Sequence, residues 1–324
     1  MPELIKPMSY IDQIKQCHFN MDDNQMGYFA RQLELIEAQA LQIVYPQLKA
    51  TALIPVQTYA GMDEWAKTQT YRQFNHVGKA KVIADWGQDF SQVGVNGAEY
   101  TGKFVVKGDS YEYNYEELQQ SMRTNINLPN ELAFAAKQAI DEAVDDHGWH
   151  GNVPAGITGF LNNPDVPRTD VPADGTGSST LWSTKTGIQM YRDMVQAISD
   201  VNTISNGVES ADTLILPLEQ YNLIENTAYD SDNSSDSVLT VFRRNRPGIL
   251  VDYVLQLNEA GTDSKDIMVA YTRNPIKVSY RLPIPFMQFP LYNKGGTVFE
   301  VRMLCRMGDV VFKFPKSANI KEGI

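Results

Sequence analysis

The sequence predicts an α+β fold organised around one long helix. Three observations support this prediction. Residues 129–148 have helical periodicity, residues 66–113 have the pattern of two long strands around a polar tip, and helices alternate with strands over residues 184–282. Alternating elements favour a compact α/β unit, whereas long strands with no helix between them favour an antiparallel ribbon. We therefore expect two lobes with a long hairpin attached.

The long helix lies within PNELAFAAKQAIDEAVDDHGWH. Pro129 and Glu131 suit a first turn, because proline needs no hydrogen-bond acceptor there and a carboxylate faces the positive end of the helix dipole. Gly148 predicts the end of the helix. Phe134 lies off the apolar face among polar residues, which predicts a second contact surface on the far side. The predicted buried face consists of Leu132, Ala136, Ala139, Ile140 and Ala143.

The segments before the long helix differ in character. Residues 1–24 are mixed, and we expect them to become ordered only against a partner. Residues 26–44 have helical spacing, which Tyr45-Pro46 ends because a residue before proline avoids the α region.

Residues 66–113 lack helical periodicity and predict a two-stranded excursion with a polar tip around residues 88–99. A hairpin of that length is marginal alone in water, so we expect it to lie on another surface. After the hairpin, Glu116 and Glu117 are predicted to open a short helix that runs through Met122.

A second lobe is predicted after a loop rich in Pro, Asp, Gly, Ser and Thr at residues 162–183. Its predicted helices are a segment with Ile188, Tyr191, Val195 and Ile198 on one face, LEQYNLIENT and VLTVFRRN. Its predicted strands are TLILP, GILVDYVLQL, DIMVAY and KVSYRL. The last strands, TVFEVRMLCRM and VVFKFP, predict an antiparallel pair turning at Gly308-Asp309. We expect this pair to pack with the first lobe.

The charge and composition exclude several classes of protein. The chain has 39 acidic and 28 basic residues, a formal net charge of −11. This balance argues against broad binding to nucleic acid or anionic membranes, which requires a cationic surface. We find neither an apolar run of about 20 residues nor a signal-peptide core. With Cys17 and Cys305 as its two cysteines, the chain predicts no disulfide framework, a buried Cys305 and a reducing compartment.

Signals for catalysis are weak. The sequence contains no G-x-S-x-G elbow, phosphate-binding loop or dinucleotide fingerprint. His147 and His150, preceded by Asp145 and Asp146, form the one metal-like cluster, with ligands that suit zinc or iron. A helix ending at Gly148 would separate the two rings. We therefore predict no catalytic residue, metal or cofactor and no enzyme, with a metal-dependent hydrolase using these histidines as the alternative from another class.

The sharpest basic cluster is Arg243, Arg244 and Arg246. It has two interpretations. It is either ordinary exposed surface or an ion-paired contact to another chain.

Two segments resemble the tailed-phage major capsid proteins, whose fold is shared with encapsulin shells and the herpesvirus capsid floor. AKQAIDEAVDDHGWHGNVPAGITGFLNNPDV resembles the long "spine" helix and glycine-rich turn of that family, with Phe160 in place of the more usual leucine. VRMLCRMGDVVFKFPKSANI resembles its closing strands. The order of elements is similar over nearly the whole chain. The residues that carry the first match are Gly151, Gly156, Gly159, Leu161, Asn162 and Pro164.

The resemblance implies how the chain divides into domains. It leaves open whether copies of the chain are cross-linked covalently. Some relatives cross-link through lysine and asparagine, and Lys67, Lys79 and Lys81 lie in the implied extended loop, but nothing in the sequence indicates that they react. We also expect no long N-terminal scaffolding segment. The implied parts are an N-terminal arm (1–40), an extended β-hairpin loop (66–110), a discontinuous peripheral domain (41–65, 111–165 and 291–324) and an α/β axial domain (166–290).

The resemblance further implies a shell protein that self-assembles into hexamers and pentamers of an icosahedral phage head enclosing double-stranded DNA. The expected location is the virion, assembled in the host cytoplasm. The expected partners are copies of itself, with scaffold, portal and cement proteins as further candidates, DNA held without specific binding, and no membrane. An encapsulin-like compartment and a ring-forming tail or adaptor protein are alternatives. The candidate inter-subunit residues are Lys79, Lys81, Trp86, Phe90, Phe134, Arg243, Arg244 and Arg246.

Overall fold

A computed structural model describes residues 46–58, 64–80, 92–123, 128–230 and 234–324. Residues 48–324 form one compact unit. The predicted arm, the predicted helix over residues 26–44 and the residues 81–91 of the hairpin tip lie outside the described residues. No helix of the described part combines the length and the apolar character needed to cross a membrane.

The described ranges contain six α-helices and seventeen strands. The helices are α1 Ala50–Leu53, α2 Tyr115–Arg123, α3 Leu128–His150, α4 Gly187–Ile204, α5 Leu218–Asn226 and α6 Val238–Asn245. The strands are β1 Val56–Gln57, β2 Thr68–Val77, β3 Gly94–Asn114, β4 Gly151–Asn152, β5 Ile157–Thr158, β6 Arg168–Asp170, β7 Thr213–Leu216, β8 Ala228–Asp230, β9 Ser234–Ser237, β10 Leu250–Tyr253, β11 Ile267–Tyr271, β12 Val278–Arg281, β13 Ile284–Gln288, β14 Tyr292–Gly295, β15 Val298–Gly308, β16 Val310–Phe312 and β17 Ala318–Glu322.

Helix α3 packs on a sheet with the strand order β13-β15-β3-β2. Strand β15 pairs antiparallel with β3 along its whole length, from Val298 opposite Asn114 to Gly308 opposite Phe104. The inward residues of β15, among them Val301, Met303 and Cys305, join the core under α3. Strand β15 therefore lies with β3 and α3, and the predicted burial of Cys305 is confirmed.

A five-stranded sheet, β10-β7-β11-β17-β6, separates two hydrophobic cores. Successive side chains of a strand point to opposite faces, so both faces of a central strand are buried here. In β11, Val269 and Tyr271 belong to the core with α3, whereas Met268 and Ala270 belong to the core with α4, α5 and α6. The two cores therefore share one wall.

The predicted pairing of the last two strands was wrong. Strand β15 pairs with β3, β13 and β14, whereas β16 pairs with β12 in the small sheet β1-β12-β16. Only Asp309 separates β15 from β16, and one residue is too few for the two-residue loop that commonly closes a hairpin. The predicted second-lobe strand KVSYRL is β12, which lies in this small sheet beside the α3 core.

Helix α3 is longer than predicted, and Gly148 is not its end. The helix continues to His150, and Gly151 then takes a left-handed conformation with φ of 68°. Gly148 instead allows close packing, because a Cβ there would lie 2.9 Å from Cβ of Ala50. Ala139, predicted to be buried, is exposed at the edge of the buried stripe.

The glycine-rich turn after α3 satisfies the end of the helix. Backbone N–H groups of Phe160 and Leu161 donate to the carbonyls of Gly148 and Trp149 at 2.9 and 3.0 Å. The Asn162 side chain accepts from Gly159 N and donates to His150 O, both at 2.6 Å. These bonds pair carbonyls that every helix end leaves free.

Candidate assembly surface

Strands β2 and β3 form the predicted two-stranded excursion. They pair over ten residues, from Thr68 opposite Lys103 to Val77 opposite Gly94. Nearly all side chains of this hairpin are exposed on both faces. Residues 94–99, predicted to belong to the tip, are part of β3 instead. The hairpin therefore lacks a packing partner for much of its length within the described residues.

The outward face of the hairpin is apolar at its centre. Phe74 is 62% exposed and lies opposite Gly97, where a Cβ would be 3.3 Å from the ring. Beside it, Nε of Arg72 pairs with Oε1 of Glu99 at 2.7 Å. An exposed aromatic residue flanked by an ion pair is typical of the centre and rim of a contact surface.

The inward face of the hairpin borders a cleft of about 600 Å³. Tyr71 and Tyr100 stack there with ring centroids 5.1 Å apart. The opposite wall of the cleft includes Val208 and Phe314, both exposed, together with Lys313. Burial and the nearby Arg281 lower the pKa of Lys313.

The far side of α3 presents a second apolar residue. Phe134 is 65% exposed and points away from the buried stripe of Ala136 and Ile140. Gln138 and Glu142 are joined at 3.0 Å one turn further along the helix. The exposure of Phe134 agrees with the expectation of a contact surface here, which stays a prediction.

The hairpin and α3 carry opposite charges. The described residues of the hairpin, 67–80 and 92–103, contain four basic residues and one acidic residue. Helix α3 has one lysine and five acidic residues, of which Asp145 is buried and the other four are at least partly exposed. The two elements thus form a complementary pair of surfaces if they meet between copies of the chain.

The metal-like cluster does not converge. His147 is buried, and its Nε2 lies 3.1 Å from the carbonyl of Gly308. His150 is exposed and its Nδ1 lies 2.9 Å from Asp146. Asp145 is buried and accepts from Ala50 N at 2.7 Å and from Gln256. Among the described residues, no three His, Cys, Asp or Glu side chains are grouped to hold a metal ion.

Burial alters the protonation of two members of that cluster. It lowers the pKa of His147 to about 4, with the positive charge of Lys107 acting in the same direction. It raises the pKa of Asp145, against the hydrogen bonds that the carboxylate accepts. Both groups serve packing, since Asp145 ties α1 to α3 and His147 ties α3 to the end of β15.

The predicted basic cluster lies at the end of α6. Nη2 of Arg243 donates to the hydroxyl of Tyr221 at 3.0 Å, and Arg244 pairs with Asp236 at 2.8 Å. Arg246 follows as the exposed C-cap residue. The other candidates divide between Lys79, exposed just beyond β2, and three that lie outside the described residues, namely Lys81, Trp86 and Phe90.

Comparison with known families decides the class of the protein. A model of the family described as "Major capsid protein" matches residues 78–324, which is most of the chain. The chain belongs to the major capsid protein family. The predicted membership, fold and role as a phage capsid protein are confirmed, and the encapsulin and hydrolase alternatives are not favoured.

Solved structures similar to this major capsid protein share its fold at low sequence identity. The capsid of Myoviridae phage XM1 has a TM-score of 0.78 and 18% identity, over 91% of this chain and 98% of that chain. A structure from Mycobacterium phage Ogopogo has 0.60 and 13%, over 91% and 98%. The capsid of a native GTA particle has 0.62 and 10%, over 89% and 95%. No curated protein sequence matches the chain.

Sequence reasoning missed the residues that hold the base of the hairpin in this major capsid protein. Arg281 and Arg306 are buried, and Asp309 pairs with Arg281. Arg281 sits in a strand whose four residues are all buried, and an arginine in such an apolar run needs an internal partner. That signal was present in KVSYRL, but the partner, Asp309, lies in the distant turn between β15 and β16.

Proposed function

We propose that copies of this chain assemble into hexamers and pentamers of an icosahedral phage head enclosing double-stranded DNA. The observation that carries the proposal is the β2–β3 hairpin, most of which no described residue covers. A long two-stranded ribbon exposed on both faces has too little packing of its own, so a neighbouring copy is the natural support.

Complementary charge suggests where the hairpin lies on its neighbour. The described part of the hairpin has an excess of basic residues and α3 an excess of acidic residues. Phe74 and Phe134 supply the apolar centres of the two surfaces. A hairpin laid across α3 of an adjacent copy would cover both aromatic rings. Each contact is modest, but a closed shell repeats it many times.

The remaining parts of the proposal follow the family resemblance. The peripheral domain, 41–65, 111–165 and 291–324, and the axial domain, 166–290, form the shell wall, and the arm, 1–40, joins neighbours. Arg243, Arg244 and Arg246 of the axial domain lie at contacts between copies. Lys79, Lys81, Trp86 and Phe90 belong to the contacts of the extended loop.

DNA is packaged without specific binding, and assembly takes place in the host cytoplasm before the virion is complete. A net charge of −11 suits a wall that does not hold a polyanion tightly. Scaffold, portal and cement proteins are further partners in this proposal.

Electron microscopy of the purified chain, alone and after incubation in host lysate, tests the proposal. We expect closed shells with hexameric and pentameric units. Particles isolated from infected cells are expected to absorb as protein with DNA. A small ring of fixed copy number would contradict the proposal in favour of a tail or adaptor protein. Shells that hold protein cargo and no nucleic acid would contradict it in favour of a compartment.

A further inference from the structure

The direction of the hairpin depends on a short stretch of β3 where the strand changes partner. Residues Phe104–Asn114 of β3 pair with β15, whereas Gly94–Lys103 pair with β2. Beyond this point the hairpin is a two-stranded ribbon, and such ribbons twist and bend more freely than wider sheets. Some contact at the base must therefore fix the angle at which the hairpin leaves the body.

Arg281 of β12 lies close to the point at which β3 changes its partner from β15 to β2. It is 1% exposed, and its Nη1 donates to Oδ1 of Asp309 at 3.0 Å. A Cβ on Gly102 would lie 2.7 Å from both carboxylate oxygens of Asp309 and would collide with the guanidinium. The guanidinium also lies 5.3 Å from the ring centroid of Tyr71. The pair thus contacts β3 at Gly102 and β2 at Tyr71, close to the partner change.

Arg306 of β15 is hydrogen-bonded to the segment that leads into β2. Its Nη1 donates to the carbonyl of Glu64 at 2.8 Å, and its Nη2 donates to the carbonyl of Ala66. Its guanidinium lies 5.5 Å from the ring centroid of Phe104, on the first body residue of β3. The base of the hairpin is therefore held on both strands by two buried arginines of the body.

Compared with an apolar pair of similar size, the Arg281–Asp309 pair adds little to the free energy of unfolding, but it fixes an orientation. Burying an ion pair costs desolvation that its attraction offsets only in part, so an apolar pair of similar size is often at least as stable. In the described residues, Nε of Arg281 and Nε of Arg306 have no hydrogen-bond acceptor. Burial also raises the pKa of Asp309, because it disfavours the charged form of the carboxyl group. A planar guanidinium donates its hydrogen bonds in fixed directions, which an apolar side chain cannot do.

We infer that the Arg281–Asp309 pair is a positioning element that sets the angle between the β2–β3 hairpin and the body of the subunit. Loss of the pair leaves both cores folded and lets the hairpin swing about Gly102 and Phe104. The inference rests on the proposed function, in which the hairpin must reach a neighbouring copy at a defined angle.

Spin-label distance measurements on the full-length, unassembled subunit test the inference. One label is placed on the hairpin by Val95→Cys and one on α3 by Lys137→Cys, both at exposed positions, in a Cys17→Ser background. Cys305 is buried and stays unlabelled, because burial raises the pKa of its thiol. Arg281→Met and Asp309→Asn are each expected to broaden and shift the distance distribution. Their thermal unfolding is expected to remain cooperative, with a lowered midpoint because each change removes one partner of a buried ion pair.

The matched control is Asp193→Asn. It removes the acid from the buried Lys185–Asp193 pair, which is joined at 2.7 Å, has Asp193 in the first half of α4 and lies outside the hairpin base. We expect this variant to lose stability while the distance distribution stays narrow. Gly102→Ala supplies a second disturbance of the same contact without changing either charge, and it too is expected to broaden the distribution.

An unchanged distribution in Arg281→Met, Asp309→Asn and Gly102→Ala would overturn the inference, as would equal broadening in Asp193→Asn. If either variant of the pair does not fold, Gly102→Ala alone decides by the same criterion. Because the subunit is unassembled, this result does not depend on shell formation. Failure of the unsubstituted chain to form shells would instead contradict the proposed function.

Discussion

At the scale of single residues, His147 is the buried titratable group that links α3 to the corner between β15 and β16. Its Nε2 must donate, because the carbonyl of Gly308 only accepts, so Nδ1 is unprotonated in the neutral ring. The groups around it are Lys107 of β3, the ring of Tyr280 with its centroid 6.4 Å away, and Asp146. Burial and Lys107 disfavour the imidazolium, whereas the hydrogen bond to Gly308 O and the charge of Asp146 oppose them and do not outweigh them.

The depressed pKa of His147 predicts a loss of stability in acid. In the unfolded chain the ring binds its proton near pH 6.5, whereas in the folded subunit it does so at about 4. The contribution is therefore fully present above pH 6.5 and is lost as the pH falls to about 4. The total is about 3 kcal/mol in the free energy of unfolding, since one pKa unit corresponds to about 1.4 kcal/mol.

Urea unfolding of the unassembled subunit between pH 7.5 and 4 measures this effect. His147→Gln is the comparison, because its amide N–H can donate to Gly308 O without titrating. The raised pKa values of Asp145 and Asp309 act in both proteins, so the difference between the two curves isolates His147. If the free energies of unfolding of the two proteins change in parallel over the whole pH range, the ring of His147 does not titrate in this way.

At the scale of elements, the hairpin and α3 each present an exposed phenylalanine on a face that no described residue covers. Phe74 and Phe134 are both more than half exposed and lie on surfaces of opposite charge. Covering a phenylalanine contributes about 1.5–3 kcal/mol, which is at least a tenfold change in an association constant.

This predicts that Phe74→Asp and Phe134→Asp each block assembly, whereas Phe74→Leu and Phe134→Leu retain most of it. All four variants should melt at nearly the temperature of the unsubstituted subunit, because neither ring belongs to a core. Sedimentation velocity over a concentration series measures the onset of assembly. Shells formed by the Asp variants at the same concentration as the unsubstituted chain would show that these rings are not in contacts.

Elements with a strong local pattern are the ones that the sequence predicts well. Helix α6, Val238–Asn245, coincides with VLTVFRRN, and α5 ends one residue before the end of LEQYNLIENT. Gly148 was misread because a glycine ends a helix only where the chain adopts a left-handed conformation, and it is Gly151 that does so. The helical packing of Gly148 depends on Ala50, nearly a hundred residues away.

Long-range partners were beyond the reach of local patterns. Strand β15 alternates cleanly, but its pairing with β3 joins residues almost two hundred positions apart. Arg281 and Asp309 illustrate the same limit for the candidate site, since a buried arginine in β12 signals the need for a partner but does not identify Asp309, between β15 and β16, as that partner. The exposed Phe134 was predicted because the helical period alone places it opposite Ala136.

At the scale of the whole molecule, two cores share one sheet, and the hairpin extends from this rigid body. Strands β7 and β11 of that sheet are buried along their whole length. Closely packed interiors have low compressibility and deform little, so the subunit has its adjustable joint at the hairpin base. The account therefore depends on a rigid body with an attached hairpin that finds its support on another copy.

A cryo-electron microscopy map of the assembled particle, at a resolution that separates strands, tests this claim most directly. We expect the β2–β3 hairpin of each copy to lie across α3 of a neighbouring copy, with Phe74 and Phe134 both covered. A map in which the hairpin lies on the body of its own subunit, or in which both rings face solvent, would contradict the account.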